Sequence, residues 1–249
     1  MTDQIDRAGA FQLGGVNLIS YSSFDGDGTP KRLDIRNIMV EFNIYEDINS
    51  PFLSGDLTLI DGTNAIQELP ITGFERLEFF FRSPNTDKGF DFSVKSGHPM
   101  FVYALENRKG ANPRTQVYTL KFISLEAIRD NQNRVSQAFS GTIDQMVTDI
   151  CYNYLKTKKD VLVEETKGTH KFVIPRVKPT NAIKFLRRNA RSLSYENSGM
   201  LFYENAHGFQ FKSYEGLFCS KDGSSRPIKA HYSPKIKNVG EDNTYNAQS

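Results

Sequence analysis

Few residues in this chain have the types and spacings that chemistry requires, and each candidate set fails a specific test. Asp25-Gly26-Asp27-Gly28-Thr29 opens like a calcium-binding loop. Such a loop needs glycine at its sixth position, for a sharp turn, and a bidentate glutamate at its twelfth. Pro30 and Arg36 occupy those positions, so the run reads as a turn. The four histidines, His98, His170, His207 and His231, stand singly, and no pair has zinc-site spacing. Cys151 and Cys219 are far apart and form no C-x-x-C motif, which reads as two free thiols in a reducing compartment. Cys151 falls on the apolar stripe of a helical pattern and reads as a core residue. No nucleophile elbow, phosphate-cradling glycine loop or dinucleotide fingerprint occurs. Paired glycosidase carboxylates are defined by their separation in space, and nothing in the sequence indicates them. The expectation is a protein with no catalytic residues, no cofactor and no metal.

One charged set has helical spacing. Lys184, Arg187, Arg188 and Arg191 recur at i, i+3, i+4 and i+7, which places four cations on one helix face. The plainer reading is a solvated surface. The sharper one is a partner-binding face for phosphate or an acidic protein surface. No aromatic residue interleaves with these charges as in a single-strand nucleic-acid platform.

The elements that must carry these residues change character along the chain. In the first half, apolar residues alternate: Ile38, Val40, Phe42, Ile44; then Leu53, Gly55, Leu57, Leu59; then Leu77, Phe79, Phe81; then Val117 to Leu125. With Val16 to Tyr21 and Met100 to Leu105, the pattern predicts about seven strands of a sandwich or small barrel. Turn residues separate them at 25–28, 61–62, 83–85 and 109–113, and Thr63 to Leu69 reads as one helical turn stopped by Pro70. After Ser140 the period becomes helical. Ile143, Met146, Val147, Ile150, Cys151, Tyr154 and Leu155 share a face, and Thr142 with Gln145 reads as a capping box. Strand-like runs at 161–165 and 171–174 precede a second helix starting near Pro179, with Ile183, Leu186, Ala190 and Leu193 as its apolar stripe. Leu201 to Glu204 and Phe209 to Ser213 then flank a turn at 206–208, a hairpin.

Composition bounds the rest. The chain has 249 residues, 38% hydrophobic and 24% charged, with Phe 19 and Tyr 11, a profile that supports a folded core and excludes a disordered chain. The net charge of +2 excludes a bulk electrostatic drive to nucleic acid. It also hides a split: residues 1–130 carry 13 Lys+Arg against 18 Asp+Glu, a net −5, while the remainder carries 18 against 11, a net +7. The start MTDQIDRAGAFQLGG lacks a basic patch followed by an apolar run, so no signal or transit peptide is expected. No stretch approaches the roughly 20 apolar residues of a membrane span.

Ordered motifs go further than composition. NIYEDINSPFLSGDLTLIDG, followed by ELPITGFERLEFFF, resembles the first barrel of tail hub proteins of contractile-tailed bacteriophages. GTIDQMVTDICYNYL, KFVIPRVKPTNAIKFLRRNARS and GMLFYENAHGFQFKSYEGLF are similar, in order and spacing, to the α+β segment of that family. The positions that carry the resemblance in the first half are Glu46, Pro51, Gly55, Asp61, Pro70, Gly73 and Glu75. Pro51 and Gly55 are expected to interrupt pairing where a strand bends, and Gly73 to free the backbone before a strand.

The resemblance implies an α+β fold: a tail-tube-like antiparallel β-barrel at 1–135, an α+β hub domain at 136–220, and at 221–249 an extended arm or the start of an incomplete second barrel. It implies a late, structural, non-enzymatic virion protein of the tail baseplate hub, assembled in the host cytoplasm without membrane insertion. Its partners would be the tail tube protein, the central spike protein and other baseplate proteins, in a homotrimeric ring through whose channel DNA passes without specific binding. An acidic channel wall formed by residues 1–130 would repel that DNA. The chain departs from the family after Phe218, where a complete second barrel would follow. A spike-base protein of a bacterial contractile injection machine is the alternative of the same class, and a tail-associated cell-wall glycan hydrolase the alternative of another.

Overall fold

The computed structural model describes residues 12–62, 65, 69, 71–73, 75–82, 89–112, 115–195, 199–219, 231–232 and 247–248. The first half forms eight strands: β1 (Gln12–Phe24), β2 (Pro30–Asp34), β3 (Met39–Tyr45), β4 (Ser54–Asp61), β5 (Arg76–Arg82), β6 (Phe90–Phe92), β7 (Met100–Asn112) and β8 (Thr115–Ser124). They join in the order β2-β1-β5-β7-β8-β4-β3, with β6 beside β5, and every pairing is antiparallel. The count exceeds the expected seven because β2 carries Lys31 and Arg32 and shows no apolar alternation, and β6, Phe90-Asp91-Phe92, is too short for its alternation to stand out.

Alternation predicts burial where the ladder is regular. Leu57 and Leu59 of β4, Leu77 and Phe79 of β5, and Leu120 and Phe122 of β8 all enter one core. In β3 it fails at one point. A register shift between Met39 and Glu41 keeps Phe42 and Ile44 against the core and leaves Val40 60% exposed. Ile38 belongs instead to a 3-10 turn, Arg36–Ile38.

The sheet rolls over its own apolar face without closing into the expected barrel. Laid flat, β3 and β5 would stand about 19 Å apart, four strand spacings. Yet the Phe42 ring meets Phe79 edge-on at 4.8 Å and stacks on Phe122 at 5.6 Å. Among the described residues no hydrogen-bonded pairing joins the edge strands β2 and β3. An apolar cavity of about 320 Å³ lies between β3 and the side chains of Leu13 and Phe81.

The second half comprises α1 (Leu125–Gln132), β9 (Val135–Gly141), α2 (Ile143–Asn153), β10 (Val161–Val163), β11 (His170–Val177), α3 (Pro179–Asn189), β12 (Met200–Asn205), β13 (Gly208–Ser213) and α4 (Tyr214–Phe218). The expected hairpin is β12-β13, and β10 adds to it in parallel, while β9 and β11 pair separately. A second core forms from Met146, Val147 and Ile150 of α2, Ile183 and Leu186 of α3, and Phe202, Phe209 and Phe211 of the hairpin.

Two helix-end expectations are corrected. Thr142 makes no capping bond, and its buried hydroxyl has no partner among the described residues. The α2 start is held instead by Thr166, whose Oγ1 accepts from the Asp144 N–H at 3.1 Å while the Thr166 N–H donates to Asp144 Oδ1 at 3.1 Å. α3 stops at Asn189, so Leu193 lies past its end and is half exposed instead of extending the stripe.

The helical turn expected at 63–69, Pro70, and the turn at 83–85 fall wholly or largely outside the described residues. The same holds for the expected arm at 221–249, apart from the short antiparallel pair β14 (His231–Tyr232) and β15 (Ala247–Gln248). Among the described residues no helix is long and apolar enough to cross a membrane.

Candidate functional site

The motif residues of the first half separate into local supports and a bridge. Glu75 is fully buried, and its carboxylate accepts from the Thr72 N–H at 2.8 Å, the Thr72 hydroxyl at 2.9 Å and the Gly73 N–H at 2.8 Å. That closes the turn entering β5, in which Gly73 has φ +92°. Asp61 is buried and accepts from the Tyr118 hydroxyl at 3.3 Å, and burial together with this carboxylate pushes the Tyr118 pKa up. Gly55 does not interrupt pairing as expected, since it pairs with Ile44 on one side and Phe122 on the other. Glycine is required there by close approach: an added Cβ would lie 2.2 Å from the Asn43 carbonyl oxygen and 2.3 Å from the Phe122 ring.

Glu46 and Pro51 belong to the connection between β3 and β4, which reaches into the second half. Glu46 accepts from the Ala206 N–H at 2.9 Å. Phe52 packs in the second core, edge-on to Phe209 at 6.3 Å, and Ala206 of the β12-β13 turn packs in the first. His207 of the same turn lies 5.6 Å from the Phe90 ring. Each half therefore inserts a loop into its neighbour.

A group of buried charges sits at this junction. Lys159 is 3% exposed, Glu126 2% and Glu204 1%. Lys159 Nζ donates to Glu126 Oε2 at 2.7 Å and to Glu204 Oε1 at 2.5 Å. The remaining oxygens are satisfied too. Glu126 Oε1 accepts from the Thr157 hydroxyl at 2.7 Å, and Glu204 Oε2 from the Ser124 hydroxyl at 2.7 Å and the Leu53 N–H at 3.0 Å. Two carboxylates share one ammonium in a dry site, so burial, reinforced by Glu126, raises the Glu204 pKa. The two carboxylates raise the Lys159 pKa against the opposing cost of burial. His98, half-buried nearby, has its pKa lowered by desolvation and by the Lys159 charge.

Sequence reading passed over this group because its members come from α1, the connection before β10, and β12. One local signal exists. Glu204 has the parity of Phe202 in a strand whose face is otherwise apolar, and a carboxylate on a core face requires a buried partner.

The four cations of the candidate partner-binding face lie on or just beyond α3, opposite its buried residues Ala182, Ile183 and Leu186. Lys184, Arg188 and Arg191 are exposed and Arg187 is half-buried; none forms an ion pair among the described residues. The structure divides them. Lys184 and Arg187 line a cleft of about 220 Å³, whose other walls are Asn49 and Pro51 from the β3-β4 connection, Thr180, Asn181 and Ile183 from α3, and Phe202 from β12. Arg188 and Arg191 are outside its wall.

No group of three or more His, Cys, Asp or Glu side chains suited to a metal occurs among the described residues. The loop at 25–29 is held by its own bonds, with the Thr29 N–H and hydroxyl donating to Asp27 at 3.0 and 2.8 Å; these bonds lower the Asp27 pKa. Cys151 is buried in the second core, and desolvation pushes its thiol pKa up, away from a reactive thiolate.

No protein-family model matches the chain, and no curated protein matches it as a relative by sequence. Solved structures do resemble it, among them tail proteins, two of them from prophages. The 43 kDa tail protein of prophage MuSo2 from Shewanella oneidensis aligns with TM-score 0.50 and 9% identity, over 82% of this chain and 53% of that one. A tail protein from Neisseria meningitidis MC58 aligns at 0.49 and 12%, over 79% and 49%. Prophage tail protein gp18 from Listeria monocytogenes EGD-e aligns at 0.46 and 9%, over 83% and 52%. At these identities the likeness to the MuSo2 protein is one of fold. The chain spans about half the length of the solved chains it matches.

Proposed function

We propose that the chain is a structural, non-enzymatic component of a phage tail, and within the tail a baseplate hub protein that joins the tube to the central spike. The observation that carries this reading is that one prophage tail fold spans both halves of the chain, 82% of it, where the ordered hub-like motifs also run through both halves. In this reading residues 1–135 are a tube-like domain built on the rolled antiparallel sheet, 136–220 the α+β hub domain, and 221–249 an arm toward a neighbour. Copies form a trimeric ring, and DNA passes through its channel without specific contacts.

Physical features support a load-bearing adaptor. The halves exchange Phe52 and Ala206 across their junction, and Glu204 of the ion group around Lys159 accepts from Leu53 and Ser124 of the first half, so they resist sliding relative to one another. The edge strands β2 and β3 carry backbone groups that a neighbouring subunit can pair with. In closed rings such contacts are heterologous, one surface of a copy meeting a different surface of the next.

The test is reconstitution. The purified chain, mixed at micromolar concentration with the tube protein and the spike protein from the same tail, is expected to form rings seen by light scattering and electron microscopy. Failure to bind either partner across a range of salt would overturn the hub assignment, and clearing of peptidoglycan by the isolated chain would overturn its non-enzymatic character.

A further inference from the structure

We propose that the cleft beside α3 is a recognition pocket for carboxylate side chains, occupied by an extended acidic segment of a neighbouring protein in the particle. It rests on the tail reading only for the source of that segment. The chemistry comes from the cleft itself.

The cleft is lined by Arg187 and Lys184, which form no ion pair among the described residues, by the polar Asn49 and Asn181, and by the apolar Pro51, Ile183 and Phe202. A guanidinium presents a planar fork that matches a carboxylate, and the adjacent floor suits an apolar side chain beside it. The positive charge comes from these side chains. The start of α3 is already occupied, because Asp130 accepts from the Thr180 N–H at 2.7 Å and the Thr180 hydroxyl at 2.9 Å.

Size and shape select the ligand class. At about 220 Å³ the cleft is smaller than the roughly 300–1,000 Å³ of pockets for cofactors and drug-sized molecules. It holds one or two side chains. From Lys184 the basic row continues past the cleft along α3 to Arg188, about 6 Å at helical rise, which two residues of extended peptide span. α3 and its flanks carry no acidic residue from Lys178 to Arg191, so nothing on the helix competes for these cations. Nucleic acid fits less well, because no aromatic residue alternates with the cations to stack bases.

The walls come from both halves, Asn49 and Pro51 from the first and α3 and Phe202 from the second. The Phe52–Phe209 contact and the Glu204–Leu53 hydrogen bond hold these walls together, so the pocket is pre-formed and loses little freedom on binding.

The test uses the full chain and three fluorescent probes: a short peptide alternating Glu and Leu, its Gln-for-Glu counterpart, and a short duplex DNA. Wild-type protein is expected to bind the Glu peptide, with weaker binding at higher salt, and to bind the Gln peptide and the DNA about tenfold more weakly or worse. Lys184→Glu with Arg187→Glu should lose about tenfold or more, and Lys184→Gln with Arg187→Gln should behave likewise if the reversal disturbs folding. Arg188→Glu with Arg191→Glu, outside the cleft, should lose about threefold or less. Absence of Glu-peptide binding, equal losses in the cleft and off-cleft variants, or preference for DNA would each overturn the proposal. None of these outcomes bears on ring formation with the tube and spike proteins, so the hub reading stands or falls separately.

Discussion

Lys159 and the row Lys184, Arg187, Arg188, Arg191 are cations of one half of one chain, and their surroundings are opposite. Lys159 sits between two carboxylates with every polar oxygen of the group satisfied from α1, β12 and the connections around them. The α3 row forms no ion pair among the described residues and faces outward. A charge is desolvated only where several elements converge to satisfy it, so the Lys159 group specifies how the two halves meet. A charge left in water costs little and stays available to a partner. One set serves orientation within the molecule, and the other serves the outside.

The largest expected effect breaks the buried side. Lys159→Met leaves two carboxylates buried without a counter-charge and should destabilise the fold by about 3–5 kcal/mol, the cost of removing one partner of a buried pair. Denaturant unfolding measures it. Glu204→Gln should cost clearly less, because Lys159 and Glu126 remain as a balanced pair; a loss as large as that of Lys159→Met would show that this pair does not hold without Glu204.

The pH dependence sharpens the same point. The folded Glu204 pKa lies above its ordinary 4.5, so the folded state holds this proton more tightly than the unfolded chain. Its contribution is fully present below 4.5 and is lost as pH rises through the folded value. Lys159, also raised, keeps its contribution until pH exceeds the ordinary lysine value of 10.5. The Glu204 contribution should therefore decline as pH climbs from about 4.5, against an opposing gain from His98, whose lowered pKa favours folding as pH rises toward 6.5, and Glu204→Gln should remove that decline. An unchanged slope in the variant would assign it to other groups.

The smallest effect lies on the exposed side. Arg188→Glu with Arg191→Glu should change unfolding free energy by no more than about 0.5 kcal/mol per substitution. A larger loss would mean that the row is built into the fold and would erase the contrast with Lys159.

Period-2 and period-3.6 patterns marked β4, β5, β8, α2, α3 and the β12-β13 hairpin, because each of these buries one face and the burial is written into spacing. The same rule shows why the rest was hidden. β2 buries too little and β6 is too short to leave a pattern, the Val40 exposure depends on a bulge, and the α2 start is held by Thr166 from another segment. The basic face could be read from the spacing of four cations, although α3 ends before Arg191. Its division into two cleft residues and two outer ones could not, because Asn49 and Pro51 come from more than a hundred residues upstream.

By itself the sequence determined the change from strand to helix near residue 140, the charge split of −5 and +7, and the row of cations on α3. These follow from neighbours within a few residues, where backbone periodicity converts spacing directly into position. Only the tertiary structure decided that the sheet rolls without closing among the described residues, that Glu126, Lys159 and Glu204 meet, and that Lys184 and Arg187 border a cleft. Those depend on contacts between distant segments, whose geometry is set by how two cores pack and exchange Phe52 and Ala206, and no local spacing records it.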